Sequence, residues 1–328
     1  MLHPIASSVP LRHLCLAILL VGCNIQLSKA QNGFTFDQLA YPFATQTTTL
    51  ASGITIAYAD EGKGKQTLIF VHGLGSYLAA WKKNIPALAA HYRCIAIDLP
   101  GYGKSSKSSD YACDMQFYAS VLADFVKQLQ LTNVVLVGHS MGGQISLTAA
   151  LNYPELFDKL VLIAPAGLET FQESQGALLK QFTQAAMIKA TTDDKIMQNL
   201  ALGFYENKTP DEALFMANDR IAIKQAPDFD AYCQCVERNV AGMLDQPVAA
   251  RLPEIKQPVL LVFGNNDALI PNKLLNPQLT VYTVVEQALE DLSGAAKHIL
   301  ILMPQAGHMV QFEQAERLNK DIIDFVGK

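Results

Sequence analysis

The stretch Val134 to Ala150, VVLVGHSMGGQISLTAA, constrains this chain more than any other. Val134 to Val137 is a run of β-branched and apolar residues that reads as a buried parallel strand, and Gln144 to Ala150 continues as an apolar helix. Gly138-His139-Ser140-Met141-Gly142 must then be the turn between them, a nucleophile elbow. So sharp a reversal pushes Ser140 toward a strained backbone conformation and brings strand and helix close enough that side chains at 138 and 142 would obstruct them. The expected result is a Ser140 hydroxyl exposed above the sheet, with free N–H groups of the following helix aimed at the same point. Five residues of this GxSxG form can arise by chance in a glycine-rich chain, but here the strand before, the helix after and the extra Gly143 all agree.

The rest of the chain repeats the strand-then-helix theme. Asn32 to Thr45 is polar and aromatic without a clean period, a tether expected to pack onto the domain edge. Gln46 to Leu50 and Ile54 to Ala59 flank Ala51-Ser52-Gly53 and read as an antiparallel hairpin. Thr67 to Val71 is a continuous apolar strand, followed by His72-Gly73-Leu74-Gly75-Ser76 and a helix around Ala79 to His91. Cys94 to Leu99, Lys159 to Ala164, Val259 to Phe263 and His298 to Met303 read as further strands, with Met115 to Leu129 and Gln314 to Val326 as helices. Buried strands alternating with helices imply the α/β class, a mostly parallel sheet covered by helices on both faces. Between 167 and 250 no strand-like run occurs, while Leu178, Phe182, Met187, Leu200, Leu214 and Met243 fall at helical spacing, as in a helical cap inserted between two sheet strands. The expected organisation is an export signal and tether at 1–30, the two parts of the core at 31–166 and 251–328, and the cap at 167–250.

At 328 residues, half of them apolar, the chain can bury one large core or a core with a smaller appendage. A formal charge of -5 supplies no basic stripe of the kind phosphate backbones require, so nucleic acid is not an expected partner. At the amino terminus, Arg12 and the apolar run Leu14 to Val21, far short of the roughly 20 residues of a membrane-spanning helix, read as an export signal. Leu20-Val21-Gly22-Cys23 resembles a bacterial lipobox in which Cys23 is lipidated, whereas Ser28-Lys29-Ala30 suits an ordinary signal peptidase and a soluble secreted product. The lipobox is preferred because all four positions fit and abut the apolar run. Export implies an oxidising compartment, in which a bridge from Cys113 to Cys233 or Cys235 is an open expectation and Cys94 a small buried hydrophobe. Cys233 and Cys235 lack a second Cys/His cluster at ligand spacing, so packing is preferred to metal binding.

A serine hydroxyl is a poor nucleophile until a base takes its proton, and the base needs a carboxylate to hold its tautomer. Asp267, in the loop Gly264-Asn265-Asn266-Asp267 after one strand, and His308, in Gln305-Ala306-Gly307-His308 after the last, belong to the same sheet edge as Ser140. Their order, Ser then Asp then His, is the one expected for this architecture. His72, His91, His139 and His298 have structural explanations, and Asp245 or Asp291 would replace Asp267 only if the strand assignment slips. The oxyanion donors are expected to be the backbone N–H of Met141, directly after the serine, and that of Leu74 in the loop after Val71.

The segments IFVHGLGS, AIDLPGYGKSSK, LVGHSMGG, LVFGNNDALIP and AGHMVQFEQAERLN together resemble the α/β-hydrolase fold superfamily over about residues 47–166 and 251–327. The resemblance implies Ser140 as nucleophile, Asp267 as acid and His308 as base, with no cofactor and no metal. A lipobox with HGLGS and GHSMGG is similar to bacterial envelope lipases and esterases. Carbon-carbon bond hydrolases of aromatic degradation are similar too, but usually carry a Gly-Pro-containing oxyanion loop and a Trp after the histidine, where Ser76 and Met309 stand here. The nucleophile Ser140 departs from haloalkane dehalogenases and epoxide hydrolases, which use Asp. The expected function is hydrolysis of small-molecule esters or lipids with an apolar acyl or alcohol part, at the cell envelope through a lipid anchor on Cys23. The expected alternative is a carbon-carbon hydrolase or cofactorless perhydrolase with the same triad. The segment Asn272 to Lys297 is longer than expected between acid and base.

Overall fold

Val134–His139 is buried along its whole length, and a strand with no polar face needs cover on both sides. The computed structural model, which describes residues 33–327, provides that cover. Cys23 and the expected export signal lie outside the described residues. Among them one sheet runs through β1 (Gln46–Thr49), β2 (Thr55–Glu61), β3 (Thr67–Val71), β4 (Arg93–Ile97), β5 (Val134–His139), β6 (Lys159–Ile163), β7 (Val259–Gly264) and β8 (His298–Met303). Its order is β1-β2-β4-β3-β5-β6-β7-β8. β1 with β2 and β2 with β4 are antiparallel, and the remaining pairs are parallel.

That order decides where a ligand can sit. The chain leaves β3 toward β4 on one side and β5 toward β6 on the other, so a crevice opens between the carboxyl ends of β3 and β5. Register closes the ends together: Val71 lies opposite Gly138, and His139 opposite Ile163.

The helices are α1 (Ile85–Leu88), α2 (Met115–Gln128), α3 (Met141–Asn152), α4 (Glu173–Phe182), α5 (Ala185–Lys189), α6 (Asp193–Ala201), α7 (Phe215–Ala222), α8 (Phe229–Asp245), α9 (Val281–Asp291), α10 (Val310–Glu313) and α11 (Ala315–Val326). Strand side chains alternate between two core layers, as a period of two requires. Ile69, Val71 and Leu136 join Leu122, Phe125, Ile145 and Val236 of α2, α3 and α8. Leu68, Phe70, Val135 and Val137 join Leu318, Ile322 and Phe325 of α11. Between β6 and β7 the regular elements are helical, α4 to α8 with short 3-10 turns. Among the described residues no helix is long and apolar enough to cross a membrane.

Three expectations need correction or completion. The single helix around Ala79 to His91 is instead a 3-10 turn, Leu78–Trp81, and the short α1. Pro86 stands in the first turn of α1, where it lacks the N–H that a continuous helix would need, and Leu78, Trp81, Ile85 and Leu88 are all buried. The bridge from Cys113 to Cys233 or Cys235 is absent: all of these thiols are free and buried. Cys113 and Cys235 nonetheless stand side by side as hydrogen-bonded thiols, with Cys235 also 3.1 Å from the Tyr118 hydroxyl, while Cys233, two positions away on the same helix, points elsewhere. The long segment after Asn272 is explained by α9, whose Val281, Val284, Val285 and Ala288 are buried at helical spacing behind a Thr280 cap.

Candidate active site

The turn at Ser140 is built from close approach. Ser140 has φ 55° and ψ -120°, a conformation L residues avoid unless their surroundings impose it. Its N–H donates to the Ile163 carbonyl at 3.0 Å, and its own carbonyl accepts from Gly143 at 2.9 Å and Ala166 at 3.0 Å. A Cβ on Gly142 would fall on the Val71 carbonyl oxygen, and one on Gly138 would lie 2.6 Å from Ser146 Oγ and against the Gly142 carbonyl. Only glycine permits β3, β5 and the start of α3 to meet this way, which is why the motif needs both.

Asp267 and His308 meet across 41 positions of sequence: Nδ1 of His308 lies 2.8 Å from Oδ2 of Asp267. Asp267 is 1 % exposed and His308 5 %. The other carboxylate oxygen, Oδ1, accepts the Leu269 N–H at 2.8 Å and the Ile270 N–H at 3.0 Å. With its position fixed, Asp267 holds the imidazole edge carrying Nδ1, and Nε2 is on the opposite edge of the ring. Asp245 and Asp291 stand elsewhere: Asp245 pairs with Lys180, and Asp291 accepts from Gln287. Ser140, His308 and Leu74 line one cavity, and Met141 opens α3 directly after the serine. Among the described residues no hydrogen bond joins Ser140 Oγ to His308, a contact that commonly tightens only when substrate binds.

Two histidines read as structural from sequence prove to frame the site. His72 is fully buried, with Nδ1 2.9 Å from the Gly73 carbonyl and Nε2 accepting the Leu99 N–H at 3.1 Å. That pattern fits the neutral ring with its proton on Nδ1, and burial pushes its pKa from the ordinary 6.5 down to about 4. The His139 ring lies 4.8 Å from that of His308, tilted by 52°, and places Nε2 3.0 Å from the His308 carbonyl. Burial first, and the neighbouring His308 second, hold its pKa well below the usual range. Beyond the Gly73 loop, the buried Asp98 accepts the Leu78 N–H at 2.8 Å. The loop of the expected oxyanion donor is thus pinned at both ends. Before His308, Glu313 accepts the N–H groups of Gly307 and Tyr205, each at 2.7 Å, tying the histidine loop to the cap.

The cavity holds about 720 Å³. Its wall is mostly apolar, including Phe182, Met187, Leu200, Met216, Met243 and Leu244, and its charged groups away from His308 are Glu169, Lys195 and Arg220. Sequence reasoning passed over Glu169 and Arg220, since neither lies in a recognisable motif.

Comparison with known proteins agrees with this architecture. Residues 66–315 match the alpha/beta hydrolase fold family. The chain is 30 % identical over 279 residues to the uncharacterized hydrolase YugF of Bacillus subtilis, covering 84 % of this chain and 95 % of that one. It is 28 % identical over 281 residues to the 2-hydroxy-6-oxononadienedioate/2-hydroxy-6-oxononatrienedioate hydrolase of Escherichia coli, covering 84 % and 92 %. Its fold is similar to that of a bacterial membrane phospholipase A, with a TM-score of 0.69, 23 % identity and coverage of 87 % and 86 %.

Two outcomes follow from the packing. A Cβ at Gly73 would lie 3.0 Å from that of Ser140 and 3.1 Å from His139 Nδ1, so Gly73→Val should lower turnover by about a hundredfold or more by displacing the loop; steady-state kinetics with unchanged turnover would contradict this. His72 binds its proton less readily folded than unfolded, so its contribution to stability is present above about pH 6.5 and lost as pH falls toward 4. Melting temperature measured across that window should fall less steeply in His72→Gln than in the parent, and parallel slopes would remove His72 as the cause.

Proposed function

The chain belongs to the alpha/beta hydrolase fold family, and from its site we propose that it is a serine hydrolase of carboxylic esters with an apolar acyl or alcohol part. The observation that carries this reading is the buried Asp267–His308 pair opening onto an apolar cavity that also exposes Ser140. Ser140 Oγ attacks the ester carbonyl while His308 Nε2 takes its proton. Asp267 holds the Nδ1 proton and stabilises the imidazolium that forms. The N–H groups of Leu74 and Met141 receive the oxyanion. His308 then protonates the departing alcohol, and water, deprotonated by the same imidazole, releases the acyl group from Ser140. No step calls for a cofactor or metal.

The apolar wall supports an acyl or alkyl chain as the bound part, because ligand pockets take most of their affinity from such surface. The Escherichia coli relative, by its name, hydrolyses a dienedioate, and it supports a second reading in which the same serine cleaves a carbon-carbon bond. A chain-length series of p-nitrophenyl esters separates the two. Under the ester reading kcat/KM rises with acyl length, and Ser140→Ala lowers it by about 10³-fold or more; no ester turnover, with cleavage of a 2-hydroxy-6-oxodienoate, selects the second reading.

The Leu20-Val21-Gly22-Cys23 run supports export and lipidation of Cys23, which would hold the enzyme at a membrane surface near apolar esters. Labelled palmitate fed to a bacterial host should enter the chain and be missing from Cys23→Ala; label retained by that variant, or none in the parent, refutes the anchor.

A further inference from the structure

Glu169, six residues beyond the end of β6, carries a carboxylate that the proposed reaction does not use. It is 8 % exposed, lines the cavity and has no cationic partner among the described residues. A buried charge of that kind is costly unless amide donors surround it, and all of its donors come from one loop. Its two oxygens accept the Asn272 N–H at 2.9 and 3.1 Å, and Oε1 accepts Asn276 Nδ2 at 2.7 Å.

That loop is the one that presents Asp267. Moving along it, the Leu269 and Ile270 N–H groups turn back to Asp267 Oδ1, and the Asn272 N–H turns outward to Glu169. The segment 269–272 is therefore stretched between two buried carboxylates, one facing His308 and the other anchored on the β6 side of the sheet. Gln175 of α4 adds a third tie, donating to the Leu275 carbonyl at 2.7 Å and Asn276 Oδ1 at 3.1 Å.

We propose that Glu169 is a positioning residue for the Ser140–His308–Asp267 site: it fixes the loop 267–276 and through it the orientation of Asp267. It touches neither proton nor substrate in that role. Burial raises its pKa, and the nearby Asp267 charge adds to the rise, as expected for two carboxylates sharing one loop.

This inference rests on the triad assigned above, so its test reads the triad twice. One readout is kcat and KM for p-nitrophenyl butyrate; the other is the rate at which a fluorophosphonate labels Ser140, which needs an activated serine but no ester substrate. Glu169→Ala should lower kcat and the labelling rate about ten- to hundredfold with KM changed less than about twofold. Glu169→Gln, which keeps one acceptor for the Asn272 N–H, should recover part of the loss. In an Asp267→Asn background Glu169→Ala should do almost nothing further, because its route to catalysis is already cut. The proposal is overturned if the loss persists in full in that background, if only KM moves, or if both Glu169 variants match the parent. Should Glu169→Ala fail to fold, Glu169→Gln decides the cycle alone. A parent that labels at Ser140 but hydrolyses no ester defeats the ester reading and leaves this inference to the labelling arm; a parent that does not label defeats both.

Discussion

Everything in this structure that bears on chemistry depends on how closely the backbone of β3, the end of β5 and the start of α3 approach one another. The Val71 carbonyl occupies the space a side chain at 142 would need, and Ser140 adopts φ 55° because the two glycines and the Ile163 hydrogen bond leave it no other path. The strain is local and its support is spread through the central strands, whose residues are buried on both faces. A strand order that reverses between β3 and β5 then places the Leu74 loop beside the Ser140 turn.

Around that turn, buried ionisable groups are held by directional hydrogen bonds. His72 and His139 are kept neutral by burial, and each uses a ring nitrogen to brace backbone next to the site, at Gly73 and at His308. Asp98, whose pKa burial pushes up to about 6, braces the far end of the same loop. Asp267, Glu169 and Glu313 each gather backbone N–H groups from loops at the sheet edge. Such an arrangement fixes the loops around Ser140 and His308 in advance, the preorganisation that the proposed reaction calls for. It also links the cap to the core, because Gln175 and Tyr205 contribute to the same networks.

Much of the sheet was legible in the sequence because its strands are short apolar runs bounded by glycine and polar turns, and a period of two or a fully buried run has few other readings. The Ser140 turn was legible for a different reason: strand, GxSxG and helix constrain one another. Asp267 and His308 could be nominated by their place after strands, and the structure brings them together at 2.8 Å. Other features were missed. The break between Trp81 and Ile85 was signalled by Pro86, whose missing N–H opposes a continuous helix, but the apolar spacing of Trp81, Ile85 and Leu88 was followed instead. The apolar spacing of α9 was present in Val281, Val284, Val285 and Ala288 but was overlooked between the loops of Asp267 and His308. The structure brings the thiols of Cys113 and Cys235 side by side, with Tyr118 next to them, but leaves them unbonded, a detail that sequence spacing cannot report. Glu169 carries no motif at all; its importance arises only when Asn272 and Asn276, more than a hundred residues later, fold against it.

The central claim is that the serine, the imidazole and two backbone donors converge on one reacting carbon. A crystal structure of the protein after reaction with diethyl p-nitrophenyl phosphate tests it most directly, since the phosphoryl oxygen mimics the oxyanion. The account predicts phosphorus bonded to Ser140 Oγ, the phosphoryl oxygen about 2.7 to 3.1 Å from both the Leu74 and Met141 nitrogens, and His308 Nε2 turned toward the ester oxygens. An adduct on another residue, or one on Ser140 whose oxygen points away from those two nitrogens, would contradict it.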